Sequence, residues 1–219
     1  MKTILKTSIL LAICLIVFTA MTSKPKRIIF FGDSITQQGV SKNGYVTLIK
    51  KSLDSTKYDV QGAGIGGNKV YDLYLRLEDD VLNKKPYLVV IYVGINDVWH
   101  KQSSHTGTDY PKYLKFYQAL INKIQGVGSK VILCTPSVIG EQKDGKNELD
   151  EELNKYAAGI RELAVKNNLP LCDLRKVFTD YEAANNSEDL EKGVLTTDRV
   201  HLNETGNKLV AAQLLPLVR

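Results

Sequence analysis

The chain has 219 residues, of which 43% are hydrophobic and 24% charged, which is the composition of one folded domain rather than of a disordered or fibrous protein. Its formal net charge is +5, but basic and acidic residues are interspersed and form no Lys/Arg block. The charge pattern therefore gives no indication of nucleic-acid binding.

Residues 1–23 are typical of a signal peptide. Two early lysines precede an uncharged apolar run at residues 9–20, which has the length of a signal-peptide core and is short for a membrane span of roughly 20 residues. Phe18 stands where a cleavage site favours a small residue, so an uncleaved N-terminal anchor is the alternative. We expect a secreted or periplasmic protein whose folded domain is residues 24–219, and membrane attachment only if the leader is kept.

Beyond the leader, short apolar runs alternate with longer stretches of helical periodicity. The short apolar runs predict buried strands, and the stretches of helical periodicity predict amphipathic helices. The predicted strands cover residues 28–31, 58–60, 87–93, 130–135 and 169–174, and the predicted helices cover residues 44–53, 70–82, 110–124, 149–166 and 204–215. Residues 140–147 and 185–197 are polar and predict loops. Such alternation indicates βαβ units, in which helices cover both faces of a parallel sheet.

Two cysteines lie beyond the leader, and each falls in a predicted strand. Cys134 and Cys172 are flanked by apolar residues, as small buried hydrophobic side chains are. Export permits disulfides, so the sequence leaves a bridge between them open.

Polar or glycine-rich residues follow three of the predicted strands. Ser34 comes after the first strand, residues 62–68 after the second and Asn96 after the third. The carboxyl ends of parallel strands open on one edge of a sheet, where ligands bind in α/β proteins. We therefore expect these residues to meet, although Ser34 has an alternative use as the N-cap of the next helix.

These residues provide the parts of a nucleophilic site. A serine hydroxyl needs a base that removes its proton and a third group that orients the base. His201 and Asp198 can supply both from one loop. The oxyanion that forms needs donors, for which the backbone N–H groups of Ser34 and Gly67 and the side-chain amide of Asn96 are available.

Two other site types are less well supported. Gly62, Gly64 and Gly67 match the dinucleotide fingerprint G-x-G-x-x-G, but they follow the second strand and lack the acidic partner at the end of the next one. His100 and His105 fall in a predicted polar loop without the spacing of metal ligands. We expect no metal ion and no cofactor.

Four short blocks, in order along the chain, resemble those of the GDSL-type esterases of the SGNH hydrolase superfamily. They are Gly32-Asp33-Ser34-Ile35-Thr36, Gly64-Ile65-Gly66-Gly67-Asn68, Gly94-Ile95-Asn96-Asp97 and Asp198-Arg199-Val200-His201. The resemblance runs from Arg27 to the C-terminus. It implies a three-layer α/β/α sandwich with a five-stranded parallel sheet, similar to flavodoxin.

By the same resemblance Ser34 is the nucleophile, His201 the base and Asp198 its orienting acid, with Ser34, Gly67 and Asn96 forming the oxyanion hole. These roles agree with those reached from the chemistry of the residues. The chain departs from the family where an arginine replaces the glycine that is frequent between acid and base. This arginine can favour an anionic or sugar-rich substrate, or it can point into solvent.

The expected activity is that of a serine esterase that forms an acyl-enzyme. The family acts on acyl esters of carbohydrates, lysophospholipids, thioesters and aryl esters. Because no lid segment is predicted, we expect an open site and prefer a short acyl group, acetyl above all, on a small or polymeric carbohydrate. A lysophospholipase or thioesterase is the alternative, and a sugar-binding module without activity is a more distant one.

Overall fold

Five parallel strands form one sheet in the computed structural model, which describes residues 24–219. The strands are β1 (Lys26–Gly32), β2 (Tyr58–Gly64), β3 (Leu88–Tyr92), β4 (Lys130–Cys134) and β5 (Leu171–Cys172). Their order across the sheet is β2-β1-β3-β4-β5, and every neighbouring pair is parallel. The predicted five-stranded parallel sheet is confirmed. The predicted leader, residues 1–23, lies outside the described residues, so both it and the domain boundary stay predictions.

Helices cover the two faces of this sheet. They are α1 (Ser34–Gly39), α2 (Tyr45–Ser52), α3 (Val70–Asp80), α4 (Ile95–Ser103), α5 (Tyr110–Gly126), α6 (Asp150–Lys166), α7 (Leu174–Asn185) and α8 (Glu204–Val218), with a 3₁₀ turn at Leu82–Lys84. Helix α2 packs on α8, while α5 packs between α3 and α6. The three-layer α/β/α sandwich is therefore confirmed.

The strand order sets where a site can form. The chain runs from β1 outward to β2 and then returns to place β3 on the other side of β1. Connections therefore leave β1 and β3 in opposite directions, which opens a crevice at the carboxyl ends of these two strands. Ser34 follows β1 and Asn96 follows β3, so the topology brings both to this crevice.

The middle of the sheet is buried on both faces, as unbroken apolar strands predict. Every residue of β3 is buried, and so are the last five of β1. Tyr113 and Tyr117 of α5 are also buried, and their hydroxyls donate to the carbonyls of Val93 (3.0 Å) and Ile91 (3.2 Å). Both buried tyrosine hydroxyls therefore have a hydrogen-bond partner within the core.

Helix α4 was not predicted, and the placement of His100 in a polar loop was wrong. His100 consequently lies in a helix, while His105 follows it. The stretch has few strong helix formers, and its buried face includes the polar residues Asn96 and Asp97. Tertiary contacts of that face, rather than apolar periodicity, stabilise the helix.

The end of the sheet also differs from the prediction. Strand β5 contains only Leu171 and Cys172 instead of residues 169–174, because Pro170 has no N–H to donate to a sheet. Asp173 then caps α7, its side chain accepting the backbone N–H of Lys176 at 3.3 Å. Helix α7 lies in a stretch that the sequence analysis left unassigned.

Cys134 and Cys172 are neighbours in the register of β4 and β5. Both are buried and both are free thiols. Burial raises the pKa of the Cys134 thiol well above its ordinary value, which keeps it protonated and unreactive.

A buried carboxyl on α7 predicts a pH dependence of stability. Glu182 is buried and its Oε1 has no hydrogen-bond partner among residues 24–219; burial, and secondarily the nearby Glu141, raise its pKa from 4.5 to about 8. Between those two values the folded chain retains a proton that the unfolded chain releases, so the free energy of unfolding falls as pH rises. Glu182→Gln should flatten this decline.

The check is the Tm of both proteins at several values from about pH 5 to about pH 8. The exposed Glu188 provides the control, Glu188→Gln, whose Tm should follow that of the parent chain. Equal slopes for the parent and Glu182→Gln would contradict the prediction.

Candidate active site

Ser34 is the first residue of α1, and Asp33 is its N-cap. The Oδ1 of Asp33 accepts the backbone N–H of Ile35 at 3.0 Å, so the capping function belongs to the aspartate and not to the serine. The Oγ of Ser34 lies instead 2.9 Å from Nε2 of His201. The serine hydroxyl thus lies beside the imidazole of a residue that is 167 positions later in the sequence.

Asp198 holds the other side of this imidazole. Its Oδ2 lies 2.7 Å from Nδ1 of His201, while its Oδ1 accepts the backbone N–H groups of His201 (2.8 Å) and Val200 (3.2 Å). Burial alone would raise the pKa of Asp198, but these hydrogen bonds hold it below its ordinary value. The structure therefore brings Ser34, His201 and Asp198 into one hydrogen-bonded line.

The glycine-rich stretch follows β2 directly and is shaped by two local requirements. At Gly64, an added Cβ would lie 2.1 Å from the backbone nitrogen of Gln37, so only glycine lets β2 approach α1. Gly67 has φ +74°, a conformation that glycine adopts at little cost. An added Cβ there would meet nothing nearer than Cε1 of His100 at 3.9 Å, so the constraint is conformational.

Asn96 lies at the start of α4, beside this stretch. It is 3% exposed, and its Nδ2 donates to the carbonyl of Asn68 at 3.0 Å. An amide nitrogen carries two hydrogens, so a second donor is present. A Cβ on Gly66 would lie 3.9 Å from the Cβ of Ser34. The glycine stretch thus lies next to the serine, and Asn96 is hydrogen-bonded to that stretch.

Arg76 of α3 fixes the same region and was missed by the sequence analysis. Its Nη2 donates to the carbonyls of Gly32 (2.7 Å) and Ala63 (3.1 Å), and its Nε donates to Oδ1 of Asn68 at 2.7 Å. The guanidinium also lies over the ring of Phe31, 4.5 Å from its centroid. A single side chain therefore joins the ends of β1 and β2 to the glycine stretch.

Two buried carboxyls adjoin the predicted site residues. Asp33 precedes Ser34 and Asp97 follows Asn96, and burial raises the pKa of each to about 7. Both oxygens of Asp97 accept the backbone N–H of Val70, at 3.2 and 3.3 Å. The second carboxyl thus fixes the start of α3 to α4.

Arg199 lies between Asp198 and His201 with φ +85°, which explains why glycine suits this position. Its guanidinium forms an ion pair with Glu191 at 2.7 Å, and the side chain is 41% exposed. The arginine is therefore a half-exposed surface residue with a partner of its own.

Two further properties concern residues 24–219 as a whole. No group of three or more His, Cys, Asp and Glu side chains in this range is placed to hold a metal ion. Helices long and apolar enough to cross a membrane are likewise not found in the described part of the chain.

A doubly wound sheet with a serine, a histidine and an acid at its switch point is the architecture of a class of enzymes that hydrolyse esters. The chain belongs to the GDSL-like lipase/acylhydrolase family, whose sequence model matches residues 30–209. It is therefore a carboxylic ester hydrolase, as the four blocks of the sequence predicted.

Similar proteins extend over nearly the whole described chain. An acetylxylan esterase of Geobacillus stearothermophilus is 29% identical over 212 residues, covering 87% of this chain and 92% of that protein. The human isoamyl acetate-hydrolyzing esterase 1 homolog is 24% identical and covers 88% of this chain and 81% of that protein. The crystal structure of the acetyl xylan esterase AlAXEase is 54% identical, with a TM-score of 0.87, covering 88% of this chain and 100% of that one.

Proposed function

We propose that the protein is an exported serine esterase that removes acetyl groups from O-acetylated carbohydrate. The observation that carries the proposal is the line of hydrogen bonds from Ser34 Oγ through the His201 ring to Asp198. The similarity to acetylxylan esterases, at 54% identity for one solved structure, supports the choice of acetyl group and carbohydrate.

In the first half of the reaction, Oγ of Ser34 attacks the ester carbonyl carbon while Nε2 of His201 takes its proton. Asp198 keeps the remaining proton on Nδ1 and stabilises the imidazolium. The carbonyl oxygen becomes an oxyanion, and we assign its stabilisation to the N–H groups of Ser34 and Gly67 and to the amide of Asn96.

The tetrahedral intermediate then collapses. The bond between the carbonyl carbon and the alcohol oxygen breaks, and the proton on Nε2 of His201 passes to the leaving alcohol. Acetyl-Ser34 remains. Water attacks the acetyl carbon while His201 takes one of its protons. The bond between that carbon and Oγ of Ser34 then breaks, and Oγ takes the proton from His201. Acetic acid leaves and loses its remaining proton to the solvent.

The surroundings of the triad support a hydroxyl-rich alcohol as the leaving group. The Asp198 side chain is 52% exposed and that of His201 is 21% exposed, so the line of residues opens to the surface. Beside Asp198 lies a cavity of about 90 Å³ whose lining includes Trp99, Gln102 and Glu148. The lining also includes Ile139, Leu149, Val200 and Asp198 itself, but neither Ser34 nor His201. The aromatic ring and the polar groups offer contacts to a sugar at this place.

A panel of p-nitrophenyl esters tests the acyl preference. We expect kcat/KM to fall at least about tenfold from acetate to octanoate, because the similarity to acetylxylan esterases supports a site that fits a two-carbon acyl group. Acetylated xylan should release acetate, with deacetylated xylan as the blank. A preference for octanoate would instead support the lysophospholipase or thioesterase alternative.

Reaction with a serine-directed phosphonate distinguishes an active esterase from a sugar-binding module without activity. The enzyme should be labelled covalently at Ser34, whereas a binding module without activity should bind acetylated oligosaccharide and remain unlabelled. An unlabelled protein that also hydrolyses no ester would refute the proposed reaction.

Export is proposed on the pattern of residues 1–23. N-terminal sequencing of the protein recovered outside the cytoplasm should give a start near residue 24. Recovery of the full-length chain in the membrane fraction would favour the anchored alternative.

A further inference from the structure

Glu141 carries a buried carboxylate that the reaction above does not use. It lies in the loop that follows β4, and it is 0% exposed. Its Oε2 accepts the backbone N–H of Val194 at 2.7 Å, and its Oε1 accepts those of Leu195 (2.7 Å) and Thr196 (2.5 Å). One carboxylate thus binds three consecutive amides of the polar segment that precedes Asp198.

Such an arrangement fixes the backbone of residues 194–196. Hydrogen bonds to an ionised acceptor are roughly twice as strong as those between neutral groups. A carboxylate removed from water also requires such partners, since an unpaired buried charge is costly. Glu141 and the three amides therefore depend on each other for the conformation of this segment.

The fixed segment in turn supports the loop that carries the acid and the base. Oγ1 of Thr196 accepts the backbone N–H of Arg199 at 3.1 Å, which lies between Asp198 and His201. The next residue, Thr197, donates its N–H to the carbonyl of His201 at 2.8 Å. The loop that carries Asp198 and His201 is therefore held by Thr196 and Thr197, and the backbone N–H of Thr196 is in turn bound by Glu141.

We propose that Glu141 is a positioning residue of the esterase, which acts through residues 194–196 to hold Asp198 and His201 in line with Ser34. The inference rests on the proposed function, because alignment of these groups matters only if they perform the reaction. It assigns the buried carboxylate to the geometry of the triad and not to contact with the substrate.

The variant Glu141→Gln tests this with almost no change in size. Glutamine offers one acceptor oxygen, and its NH₂ group must face at least one of the three N–H donors. Misplacement of a reacting group by about 1 Å costs on the order of 100-fold in rate, so kcat for p-nitrophenyl acetate should fall roughly 10- to 100-fold. KM should change less than about twofold, since the change is remote from the ester.

A matched control removes the charge of another carboxylate that joins residues 140–147 to residues 185–197, that of Asp189, which forms an ion pair with Lys146. Oδ1 of Asp189 accepts the backbone N–H of Lys143 at 2.8 Å and makes no hydrogen bond to residues 194–196. Asp189→Asn should therefore keep kcat close to that of the parent protein. If it loses as much kcat as Glu141→Gln, contact between the loops in general is what matters, and the proposal is wrong.

A spectroscopic readout distinguishes positioning from folding. The proton shared by Nδ1 of His201 and Asp198 should give a low-field ¹H NMR resonance in the parent and in Asp189→Asn, and this resonance should shift or broaden in Glu141→Gln. An unchanged resonance, with kcat reduced only in proportion to the folded fraction seen by circular dichroism, would overturn the proposal. So would a kcat within about twofold of the parent value.

Thr196→Val replaces Glu141→Gln as the test if the latter does not fold. It keeps the shape of this buried residue and removes the oxygen that accepts the N–H of Arg199. We expect lower kcat and the same change of the low-field resonance, and parent-like values of both would overturn the proposal.

Ester hydrolysis that does not depend on Ser34 would refute the proposed function, whereas Ser34-dependent hydrolysis insensitive to Glu141→Gln would refute only the positioning role.

Discussion

Ser34→Ala is expected to lower kcat for p-nitrophenyl acetate by at least about 10⁴-fold. The substitution removes the attacking oxygen, while Asp33 remains to cap α1 through the N–H of Ile35. The fold should therefore persist, and the melting temperature should stay near that of the parent. The measurement is steady-state kinetics on freshly purified protein, with folding checked by circular dichroism.

An exposed serine close by gives the control. Ser41 lies on the surface a short way along the chain, and Ser41→Ala should retain full activity. Labelling by a serine-directed phosphonate should be lost in Ser34→Ala and kept in Ser41→Ala. A Ser34→Ala protein that still turns over ester at a parent-like rate would show that the nucleophile is another group.

Asp198→Asn should lower kcat by about 10⁴-fold through the protonation of the histidine. The two backbone N–H groups of Val200 and His201 would hold the asparagine oxygen, because they now bind Oδ1 of Asp198. The NH₂ group would then face Nδ1 of His201, which must become an acceptor. The ring proton would move to Nε2 and point at Ser34, so the histidine could no longer take the serine proton.

The prediction is checked by kcat/KM together with ¹⁵N NMR of the imidazole, which reports the tautomer directly. The control is Asp180→Asn, the same substitution at an exposed residue of α7, which should leave kcat/KM and the imidazole tautomer unchanged. An Asp198→Asn protein with the parent tautomer and nearly full activity would contradict the orienting role of Asp198.

The sequence predicts the centre of the fold because its signals there are local. The apolar run before Gly32 and the one before Gly94 have no polar interruptions, so both indicate strands buried on two faces. Once these strands are taken as parallel, their carboxyl ends must meet, which is why Ser34 and Asn96 could be expected in one crevice without any coordinates.

Residues that act over long sequence distances could not be found in this way. Arg76 reaches the carbonyl of Gly32, 44 positions away, and Glu141 reaches the amides of residues 194–196, 53 to 55 positions away. The partners just named are backbone groups: every residue has the carbonyl, and every residue but proline has the N–H, in the same form. In the sequence, each is therefore an ordinary charged residue on a helix or in a polar loop.

Helix α4 was missed for a related physical reason. Its inward face uses Asn96 to donate to Asn68 and Asp97 to accept from Val70, so polar residues stand where periodicity would require apolar ones. The helix is short and only two of its four buried residues, Ile95 and Val98, are apolar, so apolar residues alone do not mark its inward face.

The separation of Ser34 and His201 by 167 positions has a consequence for the order of events in synthesis. Ser34 emerges from the ribosome early, and His201 emerges 167 positions later. The last helix, α8, must return to α2, where Oδ1 of Asn207 accepts the backbone N–H of Tyr45 at 2.9 Å. A nascent or partly folded chain therefore holds Ser34 without His201 beside it, and the proposed hydrolytic activity is expected to begin only when helix α8 has docked.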